Sequence, residues 1–203
     1  MRVASPRQPT LFDRGAPEAL PAQLAQLTRT NLDATAWVEH LPAWVTGEDA
    51  LMEELVRTTG WREESQEIYG RQVAVPRLVA SLPDDGPMPA VIERMREVLS
   101  ERYETAFTRV SVAYYRNGDD SVAWHGDRVA RRLPRAVVAT VSLGAPRRFL
   151  LRPKAGGASI AFALGRGDLF VMGGACQRTW QHSIPKVASA LPRLAIMFRP
   201  VWK

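Results

Sequence analysis

The chain has 203 residues, enough for one domain with a sizeable core, and carries 27 Lys plus Arg against 21 Asp plus Glu, a formal charge of +6. Such a balance favours a polyanionic partner over an acidic protein surface, although nearly all of the charge is Arg and an Ala- and Arg-rich composition also reflects coding bias. Cys176 is the only cysteine, which excludes an internal disulfide framework and a cysteine-based zinc cluster and predicts a reducing compartment.

In chain order, residues 1–30 are rich in Pro, Gln and Thr and read as a loosely ordered extension, with the domain of residues 31–203 starting near Asp33. The N-terminus lacks the apolar run of a signal peptide and no later stretch is long enough to span a bilayer, so a soluble, cytoplasmic protein is expected, with no membrane partner and acting as a monomer. AWVEHLPAWV, from Ala36, predicts a strand and a Pro-containing loop. Thr46 is then expected to cap a helix over EDALMEELVRTT, in which Leu51, Leu55 and Val56 recur at helical spacing. A second helix is predicted over PAVIERMREVLSERY, with Val91, Met95, Val98 and Leu99 as its core stripe.

After Ala106 the pattern changes to short β segments: TRVSVAYY, RAVVATVSL, RRFLLRP, SIAFAL, DLFVMG and RLAIMF. Helices followed by closely spaced strands indicate an α+β fold with an antiparallel sandwich or jelly roll.

Of three histidines, His125 and His182 fall in this strand-rich half. Residues two apart in an extended segment point the same way, so His125 and Asp127 can aim an imidazole and a carboxylate at one point, and His182 can add a third ligand from a neighbouring strand. Two imidazoles and one carboxylate on one face of a metal suit non-haem Fe(II), which then keeps open positions for a chelating cosubstrate and dioxygen. Arg193 and Arg199 lie six apart in the last strand and so share a face. Buried there they need anionic partners, either the two ends of a dicarboxylate such as 2-oxoglutarate or side chains such as Asp168.

The segments YYRNGDDSVAWHGD, VSLGAPRRFLLRP, GDLFVMGGACQRTWQHSIP and PRLAIMFRP resemble, in order and spacing, the AlkB family of nucleic-acid dealkylating dioxygenases. The resemblance implies a double-stranded β-helix over residues 105–200, preceded by helices and a substrate lid over residues 60–86. It implies Fe(II) held by His125, Asp127 and His182, and 2-oxoglutarate held by Tyr115, Arg193 and Arg199. The implied reaction converts 2-oxoglutarate and dioxygen to succinate and carbon dioxide while hydroxylating an alkyl group on a damaged base, which then leaves as an aldehyde. YGRQVAVPR resembles a lid segment of duplex-acting members, which makes Tyr69 a candidate probe of the base stack and Arg77 a candidate DNA backbone contact, each also readable as an incidental surface residue.

Departures from the family pattern bear on the substrate. Ala113, Ala195 and Met197 replace residues that hydrogen-bond the cosubstrate, and Val129 replaces an acid that reads the exocyclic amine of the base. Trp124 and Trp61 are candidate substitutes for the missing stacking aromatic, while Trp180 and Gln181 flank His182 without an assignable role. Arg128, Arg131, Arg132 and Arg135 follow the metal motif and form a candidate phosphate-tracking wall or a solvated loop. QPTLF, with Gln8, Leu11 and Phe12, resembles peptides that dock on the bacterial sliding clamp, the alternative being a tail packed on its own domain. The expected function is oxidative dealkylation of nucleic-acid bases in DNA repair, the rivals being the same chemistry on RNA, a protein or a small molecule, and a clamp-associated binding module without activity.

Overall fold

The computed structural model describes residues 20–68, 71–127 and 133–200. A short helix α1 (Leu20–Gln23) and a 3-10 turn (Leu24–Gln26) lead into β1 (Thr28–Asn31) and β2 (Ala36–Leu41), and α2 (Glu48–Thr58) follows. The chain continues as β3 (Arg62–Ile68), β4 (Arg71–Leu82) and α3 (Ala90–Arg102), then β5 (Arg109–Tyr115), β6 (Val122–His125), β7 (Val138–Gly144), β8 (Arg147–Pro153), β9 (Ile160–Leu164) and β10 (Asp168–Gly174). A one-turn helix α4 (Cys176–Thr179) precedes β11 (Trp180–Ile184) and β12 (Arg193–Arg199).

The strands form an eight-stranded sheet, ordered β1-β2-β10-β7-β12-β5-β4-β3, and a four-stranded sheet, ordered β6-β11-β8-β9, with antiparallel neighbours throughout. This is the expected jelly roll, with the helices on the outside of the larger sheet. The strand period of two sorts each central strand between two cores. Leu169 and Val171 of β10 and Leu194, Ile196 and Phe198 of β12 face the helices, where α3 contributes Ile92, Met95, Val98 and Leu99. Phe170 and Met172 of β10 face the smaller sheet, as does Tyr115 of β5. Burial on both faces explains why β7 reads VATVSLG without polar alternation and is buried from Val138 to Leu143.

Two expectations are corrected. Thr46 does not cap α2: the N-cap is Gly47, in a left-handed conformation (φ 69°) that glycine adopts without strain, and the acidic Glu48 and Asp49 sit in the first turn instead. The extension also ends earlier than residue 30. Leu20 and Leu24 are fully buried in the helix-side core and β1 pairs with β2, because two leucines in a polar stretch suffice to dock it. Gln8, Leu11 and Phe12 lie outside the described residues.

Candidate metal and cosubstrate site

The site is built where the smaller sheet covers the larger. β6 and β11 pair antiparallel with His182 opposite His125, which sets the two imidazoles side by side with ring centroids 4.2 Å apart. Gly126 lets the chain pass close to α4, since a Cβ there would lie 2.8 Å from the Gln177 carbonyl oxygen, and the next residue, Asp127, is thereby turned inward. One ligand atom from each of His125, Asp127 and His182 lies within 4.8 Å of the others.

Electrostatics leave all three side chains in ligand form. Burial pushes His182 down to about 3, reinforced by neighbouring His125, and burial likewise lowers His125, so both rings are neutral at pH 7. Burial alone would raise Asp127, but the charge of Arg199 and its hydrogen bond outweigh it and hold the carboxyl at about 2. His125 Nδ1 donates to the Ala123 carbonyl at 2.8 Å, which leaves Nε2 for a metal. Asp127 Oδ1 accepts from Arg199 Nη2 at 3.1 Å, whereas its buried Oδ2 has no hydrogen-bond partner. An ionised oxygen buried without a partner beside two neutral imidazoles fits a divalent cation, and the mixed N/O set fits iron.

Arg193 has the complementary need. It is 1% exposed, donates to the Leu164 carbonyl and to Ser142 Oγ at 2.7 Å, lies over the Tyr115 ring, and has a buried Nη1 without a partner. Asp168, the alternative partner, instead accepts from the amides of Ala43 and Gly165 and lies beside His40. Arg199 differs: its Nη atoms donate to Asp127 and to Ser111 Oγ, whereas Arg193 has a buried Nη1 without a partner that suits a distant carboxylate. Both line, with Tyr115 and the three ligands, a cavity of about 700 Å³. A separate cleft of about 810 Å³ between Asp33–Trp37 and Leu133–Val137 holds none of these residues.

The other candidates separate. Arg77 is not on the lid's outer surface: its side chain enters the cavity, with Nη1 donating to Tyr115 Oη and Nη2 to Glu64, each at 3.2 Å. Trp124 lines the cavity beneath the Arg152 guanidinium, 4.1 Å from its ring centre. Trp61 packs on Tyr114 and bonds the Val56 carbonyl, outside the cavity. Arg135 borders the separate cleft rather than the cavity. Trp180 donates to Asp33, and Gln181 accepts from Arg152. Tyr69, Arg128, Arg131 and Arg132, with Val129, lie outside the described residues.

Gln177 was not legible in the sequence. Its buried Oε1 accepts from the Asp127 amide at 3.0 Å and so fixes the backbone that presents the carboxylate. Gln177→Leu should fold and lose on the order of ten- to a hundredfold in Fe(II) affinity, measured by anaerobic titration; unchanged affinity would remove Gln177 from the site. Ser142 and Ser111, which hold the two arginines, were likewise unmarked by any pattern.

Residues 21–199 match the sequence profile of the 2OG-Fe(II) oxygenase superfamily. The chain belongs to this superfamily. The oxygenase is 31% identical over 156 residues to human alpha-ketoglutarate-dependent dioxygenase alkB homolog 3, covering 72% of this chain and 52% of that protein. It is 28% identical over 157 residues to human DNA oxidative demethylase ALKBH2, covering 66% and 60%. It thus spans about half to three-fifths of the length of these curated relatives. Among solved structures, a Trichoplax adhaerens prolyl hydroxylase with a hypoxia-inducible-factor peptide superposes with a TM-score of 0.60 at 13% identity, covering 91% of this chain and 88% of that one. OsALKBH1 superposes with a TM-score of 0.59 at 13% identity, covering 85% and 100%. Both share the fold. The oxygenase is therefore an oxidoreductase of a family that uses Fe(II) and 2-oxoglutarate, and its His-Asp-His cluster is in place for the metal.

Cys176, beside this site in α4, is 1% exposed, and burial pushes its thiol up to about 12. It should not react with a thiol reagent at pH 8 until denaturant is added; rapid modification of the folded oxygenase would contradict its burial.

Proposed function

We propose that this oxygenase removes alkyl groups oxidatively from damaged bases in nucleic acid, with DNA as its substrate. The carrying observation is the charge around the oxidising centre: Arg62, Arg77 and Arg109 line the cavity in addition to Arg193 and Arg199, a surface suited to a phosphate-bearing substrate. The names of the human relatives, a DNA oxidative demethylase among them, support the same assignment.

Fe(II), 2-oxoglutarate and dioxygen supply the hydroxylating chemistry, with succinate and carbon dioxide as the cosubstrate's products. The chain's residues do the positioning. His125, Asp127 and His182 would hold the metal, and Arg199 keeps the Asp127 carboxylate turned and ionised. Arg193, backed by Ser142 and the Tyr115 ring and with an Nη1 that lacks a partner, would anchor the far carboxylate of 2-oxoglutarate. Trp124 offers the face of its indole on the cavity wall to a base taken from its stack. The hydroxylated N-alkyl group then breaks its C–N bond, giving an aldehyde and the restored base.

The assignment is tested by comparing methylated single-stranded DNA, duplex DNA and tRNA as stimulants of succinate and formaldehyde release. DNA-dependent release that falls steeply with salt is expected; release with tRNA alone would move the substrate to RNA. QPTLF completes the proposal as a sliding-clamp tether. A peptide of residues 1–19 should bind the purified clamp, and Leu11→Ala with Phe12→Ala should abolish that binding.

A further inference from the structure

Resting on the dealkylation reading, we propose that Arg77 tunes the cavity for neutral alkylated bases whose alkylated nitrogen is flanked by carbonyl oxygens, such as N3-methylthymine. Cationic bases that carry an exocyclic amine, such as 3-methylcytosine and 1-methyladenine, are then the poorer substrates.

Among the described residues lining the cavity, the carboxylates are Asp127 and Glu64. Asp127 is paired with Arg199 and Glu64 with Arg77, so each of these carboxylates is already matched by a guanidinium. Arg77 itself is buried to 13% side-chain exposure, its Nε lacks a partner, and it lines the same cavity as His125 and His182. A guanidinium on the wall of that cavity donates hydrogen bonds and repels cations. A base placed for oxidation there must therefore present acceptors. Trp124 points the same way, because the Arg152 guanidinium already lies over its ring and a cationic base stacked on it would add a second positive charge.

Repulsion between two unit charges several ångströms apart in such an environment corresponds to on the order of tenfold or more in selectivity. Single-stranded oligonucleotides of one sequence, each with one N3-methylthymine, 3-methylcytosine or 1-methyladenine, should be compared by kcat/KM for formaldehyde release and by anaerobic binding anisotropy. The expected result is preference for N3-methylthymine in both readouts, at least about tenfold in kcat/KM. In Arg77→Gln the ratio between substrates, which cancels any general loss of activity, should fall towards unity. Glu64→Gln, which leaves Arg77 uncompensated, should widen it. Equal or reversed preference in the unmodified protein, or a ratio unchanged in both variants, overturns the inference and leaves dealkylation standing. Failure of every methylated strand to bind or react, with 2-oxoglutarate binding intact, overturns both.

Discussion

Asp127→Ala should abolish 2-oxoglutarate turnover and leave Fe(II) binding below detection. The carboxylate supplies the one anionic ligand of the cluster, and its Oδ2 is the buried oxygen without a protein partner. The substitution also strips Arg199 of its carboxylate, at 16% side-chain exposure, so the metal-free protein should lose about 2–3 kcal/mol of stability. Asp127→Asn separates the two effects. The amide oxygen still accepts from Arg199 and keeps the shape, so this variant should fold nearly as well as the parent while remaining inactive. Retained 2-oxoglutarate decarboxylation by either variant at the parental rate would refute the ligand assignment.

Arg193→Met should show the opposite division between activity and stability. The parent buries a guanidinium with two neutral acceptors and an aromatic face, while one nitrogen has no partner, so burial depresses its pKa. Replacing an incompletely compensated buried charge by an apolar side chain of similar length is neutral or stabilising by about 1–4 kcal/mol. The melting temperature of the protein without cosubstrate should therefore hold or rise. Affinity for 2-oxoglutarate should fall by on the order of a hundredfold, the cost of removing a buried charged hydrogen bond. Added 2-oxoglutarate should raise the melting temperature of the parent and not of the variant. An unchanged KM for 2-oxoglutarate would place the cosubstrate carboxylate elsewhere.

These contrasts show what the sequence makes legible. β5, β7, β8, β10 and β12 can be read from β-branched and apolar runs bounded by Gly and Pro, because each strand is continuous and its ends are punctuated. His125 and His182 stand out because histidines are scarce, and the i, i+2 spacing to Asp127 carries its own geometry. The shared face of Arg193 and Arg199 follows from the strand period. Their unequal partners do not, since Ser142, Ser111 and Asp127 come from other elements that fold against β12. Arg77 reads as a surface residue of a lid because its inward face depends on the register of β4 against β5, and the β3–β4 pairing shifts register at Glu63 and Glu64. Gln177 is invisible for the same reason: it lies 50 residues from the amide that it holds.

The most direct test of the central claim is succinate release in air by the Fe(II)-loaded protein, with and without methylated single-stranded DNA, while formaldehyde is measured in the same samples. Succinate formation that the methylated strand stimulates, with formaldehyde rising in step, is the predicted result. Iron and 2-oxoglutarate binding with succinate release indifferent to every nucleic acid would contradict the substrate assignment and leave an oxygenase of another target.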